Sequence, residues 1–130
     1  MESTEVPPTN FRVSRDGTYI VGRTLGEHTA ASALAEMRML VELLRATGIT
    51  KVVVDGRVQQ HMFGTLPAFE FAESLERLRI SRYQIAVVVA TDLKEARFTE
   101  TAMINRGIRA RYFNDYDQAL AWLGVKADGQ

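Results

Sequence analysis

The sequence predicts an α/β fold: a mostly parallel five-stranded sheet with one antiparallel edge strand, in the order β-β-α-β-α-β-α-β-α. Three observations carry this. Two short apolar runs, 49–54 and 85–90, are rich in valine and isoleucine and do not alternate, as strands buried on both faces do. Four segments between and after such runs repeat apolar residues at helical spacing. An Asp16-Gly17 step near the start separates two β-rich runs, which marks a hairpin. Strands that alternate with helices build parallel sheets through right-handed crossovers. The opening hairpin therefore supplies the antiparallel edge strand.

Residues 1–9 are polar and end in Pro7-Pro8-Thr9, so they read as a flexible tail. Phe11 to Ser14 alternates apolar and polar, and Tyr19-Ile20-Val21 resumes after the turn. The first two strands are expected at about 11–15 and 18–25. From Thr29 to Thr47 the period changes, with Ala30, Ala33, Leu34, Met37, Val41 and Leu44 on one face. Thr29 suits an N-cap and Gly48 a C′ residue. Ile49 to Asp55 is the third strand, closed by Asp55-Gly56. Gln59 to Gly64 is a polar loop. Pro67 then opens a helix to about Leu78, with Ala68, Phe71, Ala72 and Leu75 on its apolar face. Tyr83 to Ala90 is the fourth strand. Asp92 and Glu95 form a capping box for a helix over 93–106 that Gly107 ends. Arg109 to Phe113 is the fifth strand. Asn114 or Asp115 caps the last helix, about 115–124, and Val125 to Gln130 reads as a second loose tail. The domain thus spans 10–124.

Length and composition bound the function. At 130 residues the chain suits one domain. Sixteen basic and sixteen acidic residues cancel, which speaks against a nucleic-acid partner. There is no cysteine, so there is no disulfide and no thiol chemistry. No apolar run reaches the ~20 residues of a membrane span, and the acidic start is unlike a secretory signal. A cytoplasmic location is expected. Neither a nucleophile elbow nor a glycine-rich phosphate loop occurs, so no cofactor is expected.

In open α/β sheets, ligands bind in the crevice outside the carboxyl ends of the strands. That rule selects Thr24 to His28, Asp55 to His61, Thr91-Asp92 and Asn114-Asp115. Asp55 has two readings: a functional carboxylate, or a turn residue that accepts backbone N–H groups. His28 and His61 lack metal-ligand spacing, so no metal is expected. The segment from Gln59 to Leu66 holds His61, Met62 and Phe63 with few charges. Such residues tuck under the sheet edge or form an exposed contact patch. Asp55, Arg57, His61, Met62 and Phe63 are the candidate binding residues. Arginine outnumbers lysine 13 to 3. The cluster Arg77, Arg79 and Arg82 is either a docking patch or a solvated helix end beside Glu70, Glu73 and Glu76. Trp122 is expected in packing.

The element order resembles the STAS domain, the fold of anti-sigma-factor antagonists. The stretch Arg111-Tyr112-Phe113-Asn114-Asp115-Tyr116-Asp117-Gln118-Ala119-Leu120-Ala121-Trp122-Leu123 is similar to the closing signature of SpoIIAA-like (STAS/SEC14-like) bacterial proteins. Ile85 to Val89 fits the same pattern. The resemblance implies a non-catalytic binding module, regulatory through a protein partner at the loop edge around 56–66. It also implies a phospho-switch at the start of the second helix. Thr65 is the hydroxyl in that place, with Gly64 where the family has Asp, and its other role is a helix N-cap. The SEC14-like side implies a carrier of a small apolar or anionic ligand, in a pocket lined by Phe63, Phe69 and Phe71. A homodimer is compatible with a small domain of this class.

Overall fold

The computed structural model describes residues 9–24, 30–57, 65–79, 82–90 and 92–127. Five strands and four helices follow the expected order: β1 (Thr9–Val13), β2 (Ile20–Thr24), α1 (Ala30–Thr47), β3 (Lys51–Asp55), α2 (Thr65–Arg77), β4 (Gln84–Val88), α3 (Leu93–Ile104), β5 (Arg109–Phe113) and α4 (Tyr116–Leu123). The strands lie side by side in sequence order, β1-β2-β3-β4-β5. β1 and β2 are antiparallel, and every later pair is parallel.

That order dictates where the helices go. Each crossover from β2 to β5 moves one strand in the same direction, and right-handed crossovers then fall on one face. α1, α2 and α3 accordingly bury Leu40, Leu44, Leu75 and Met103 against Ile20, Val52, Ile85 and Ala110. Among the described residues no strand follows α4, and it folds onto the opposite face. It packs Ala119, Leu120 and Leu123 on Val53, Ala86, Val88 and Phe113. Successive residues of β3 and β4 therefore enter different cores, which explains why these strands lack polar alternation.

The hairpin holds its place, but its strands are shifted from the expected 11–15 and 18–25. Ser14 causes this. Its N–H donates to the Tyr19 carbonyl at 2.8 Å, and its carbonyl accepts from Gly17 N at 3.0 Å. Its buried hydroxyl accepts from the Thr18 and Tyr19 amides and donates to Asp16. Residues 15–18 thus form a four-residue loop built on a β-turn. β1 starts at Thr9, inside the segment read as a tail. Phe11 pairs with Gly22 across the hairpin, and its ring occupies the space a Cβ on Gly22 would need.

α2 begins at Thr65 rather than Pro67. Proline fits within a first turn, whose N–H groups have no intrahelical acceptor in any case. Thr65 is therefore the first helical residue and does not hold the N-cap position. Asp92 caps α3, its carboxylate accepting from Lys94 N at 2.9 Å. Asp115, not Asn114, caps α4 and accepts from the Asp117 and Gln118 amides. Gly124 ends α4 in the left-handed region at φ +75°. Val125 and Lys126 do not trail away as a loose tail would. Val125 N donates to the Leu120 carbonyl, and the hydroxyl of buried Tyr19 donates to the Lys126 carbonyl at 2.8 Å. Among the described residues no helix is long and apolar enough to cross a membrane.

Candidate functional site

The carboxyl ends of the parallel strands lie level with one another. Arg23 of β2 pairs with Asp55 of β3, Asp55 with Val88 of β4, and Val88 with Phe113 of β5. The strand order never reverses along this row, so the sheet has no switch point at which neighbouring loops diverge into a crevice. The ends are instead tied together. Gly56 N donates to the Val88 carbonyl at 2.7 Å, and Asn114 Nδ2 donates to the Val89 carbonyl at 2.7 Å.

Asp55 closes β3 and combines both roles considered for it. Oδ1 accepts from the Arg57 amide at 3.1 Å, the turn geometry of a strand-end Asp. Oδ1 and Oδ2 also accept from Arg57 Nε at 2.9 Å and Nη2 at 2.8 Å, a bidentate ion pair. The Arg57 hydrogen bonds hold the Asp55 carboxyl below the usual carboxylate range against the opposing effect of burial, and the charges of Arg57 and Arg23 add to them. The same pairing raises the Arg57 guanidinium above its already high value. Asp55 is thus a committed anion at neutral pH, a poor proton donor and a poorly available base. Arg57 lies over the ring of Tyr116, with Cζ 5.6 Å from its centroid, and its side chain stays 49% exposed.

The structure therefore joins Asp55 and Arg57 with Tyr116 at the start of α4. Tyr116 is distant in sequence, and only the adjacency of the strand ends signals it. Asp92 and Asp115 serve as helix caps. His28, His61, Met62 and Phe63 lie outside the described residues, as do the side chains of Thr65, Phe69 and Phe71. Among the described residues no three His, Asp or Glu side chains gather as a metal site would require. Of the cluster Arg77, Arg79 and Arg82, the Arg77 guanidinium has an acidic neighbour among the described residues, and the later arginines Arg106 and Arg109 are engaged as well. Arg77 lies 3.9 Å from Glu73, Arg106 pairs with Glu76 at 2.9 Å, and Arg109 donates to the Arg82 carbonyl at 2.9 Å. Trp122 packs on Phe113 with ring centroids 5.8 Å apart, as expected of a packing residue.

No family model matches the sequence. No curated protein matches it either. Among solved structures, the chain is similar to an uncharacterized protein of the DUF3478 family with a SpoIIAA-like fold from Shewanella loihica PV-4. The two share 19% identity at a TM-score of 0.58, over 95% of this chain and 99% of that one. At that identity the likeness establishes the fold, which is SpoIIAA-like, as the element order and the closing Arg111–Leu123 stretch led us to expect.

Proposed function

We propose that this SpoIIAA-like chain is a non-catalytic STAS-like binding module, regulatory through a protein partner that docks at the loop edge around 56–66. The commitment of Asp55 to Arg57 carries this reading. It ties up the Asp55 carboxylate, which is then poorly placed to move a proton. It also leaves one flank of an exposed guanidinium, backed by Tyr116, as a fixed polar landmark. Arg57 is the anchor in this reading, with His61, Met62 and Phe63 beside it in sequence. The module works in the cytoplasm without a cofactor, and light scattering tests whether it forms a homodimer.

The test is capture of partners from the source cell by the wild type, Arg57→Glu and the double variant Met62→Ser/Phe63→Ser. A partner bound by the wild type and lost by both variants, with circular dichroism unchanged, supports the reading. Partners bound equally by all three overturn it. Thr65→Glu tests the phospho-switch: it abolishes capture if the switch operates, and unchanged capture rules the switch out. Native mass spectrometry separates the carrier function, which requires a bound lipid-like or anionic mass on the purified protein.

A further inference from the structure

The outer edge of β5 is a different kind of surface. Val89 N donates to the Phe113 carbonyl, so Phe113, Arg111 and Arg109 turn their backbone groups toward β4. Ala110 and Tyr112 turn theirs outward, where the Ala110 N–H donates to the Ile108 carbonyl at 3.1 Å. A groove of about 660 Å3 runs along this edge, between Ile104 of α3 on one side and Trp122 of α4 on the other. Ile104 is 55% exposed, although it is a large apolar side chain. Arg109 and Arg111 line the α4 side of the groove and are exposed. Neither has a carboxylate partner among the described residues, although one Arg109 amino group donates to the Arg82 carbonyl at 2.9 Å. Arg111 is stacked on Phe113 at 5.5 Å, which fixes its direction.

The edge is not left open to any strand. Glu100 of α3 is 8% exposed and reaches over to accept the outward Tyr112 N–H at 2.8 Å, while Arg97 holds its other oxygen at 2.9 Å. A side-chain carboxylate thus stands where the carbonyl of a neighbouring strand would be. Antiparallel pairing with a second β5 centred on Ala110 or Arg111 is disfavoured as well, because it would set these arginines against their own copies.

We propose that the β5 edge is a docking site for an extended peptide segment of a partner protein, one whose carboxylates alternate with apolar side chains. The segment adds a sixth strand by displacing Glu100 from the Tyr112 amide and the Ile108 carbonyl from the Ala110 amide. Side chains alternate between faces along a strand. One set meets Arg109 and Arg111 and must be acidic. The other set meets Ile104 and must be apolar. This surface runs along the flank of the sheet and does not depend on the strand-end reading above.

Trp122 is the only tryptophan in the chain and borders the groove, so its emission reports occupancy. The probe is an acetylated, amidated octapeptide of alternating Glu and Val, titrated into the full chain. A saturable shift in Trp122 emission is expected, weakening as salt rises. Arg109→Glu/Arg111→Glu should weaken binding about tenfold or more. The same octapeptide N-methylated on alternate amides, and one of alternating Lys and Val, should both fail to bind. No saturable response at millimolar peptide overturns the proposal. So does equal binding by the charge-reversed variant, by the N-methylated peptide or by the lysine peptide. Circular dichroism of the variant confirms that its fold is intact, since both arginines are exposed.

Discussion

Asp55 carries a charge that Arg57 stabilises only in the folded chain. Because its folded pKa lies below the ordinary value of 3.8, the stabilisation is complete above that value. It is lost as pH falls through the lower folded value. Arg57→Ala should therefore cost about 1 kcal/mol or less at pH 7, the range for a partly exposed pair. Its urea midpoint should converge on the wild type in strong acid; a gap that persists there would place the cost outside the ion pair. Gly22 makes a second residue-scale prediction. Gly22→Ala drives a methyl group into the Phe11 ring and should cost about 1–3 kcal/mol in urea unfolding, as overpacking does. If Phe11→Leu does not relieve that cost, the ring is not its cause. At this scale the sequence located the end of β3 at Asp55, because a polar pair after a buried valine run marks a strand end. It could not identify Tyr116 beneath Arg57, which depends on β3 and α4 meeting in space. Nor did it single out Glu100, which looks like any helix-face glutamate until β5 is placed beside it.

At the scale of elements, periodicity was a reliable guide wherever burial was strong. β5 falls on Arg109–Phe113, and α4 ends at the left-handed Gly124, both as read from the sequence. The ends moved where side chains competed for backbone groups. Ser14 and Asp16 took the amides that would have lengthened the hairpin strands, and α2 absorbed Pro67 into its first turn. α4 is only eight residues long, short enough to be marginal without its cap and its apolar face. Asp115 satisfies two amides of its first turn. Asp115→Ala should cost about 1 kcal/mol, the usual loss for a cap. The urea midpoint measures that cost, and Trp122 emission shows whether α4 frays with it. An unchanged midpoint would mean that packing on Phe113, Val88 and Val53 alone sets the helix. His61 to Phe63 lie outside the described residues. Apolar residues without a period carry no statement of which side they face.

At the scale of the whole molecule, the Tyr19 hydroxyl donates to the Lys126 carbonyl across 107 residues of sequence. It joins the first hairpin to the residues after the last helix. Removing residues 125–130 should cost about 1–2 kcal/mol, from the lost acceptor and the lost cover of Val125. The truncation should cost less in a Tyr19→Phe background, and equal costs in the two backgrounds would deny the coupling. The sequential strand order has a consequence for synthesis. Each new strand finds its only earlier neighbour already in place, so the sheet can be extended one edge at a time as the chain leaves the ribosome. Three helices cover one face during that growth, yet the other face waits for α4, which is made after all five strands. Until then Val53, Ala86, Val88 and Phe113 form an uncovered apolar strip. A nascent chain that stalls or is cut before Asp115 therefore carries nearly the whole sheet with one side unroofed, a form that chaperones and proteases are built to recognise.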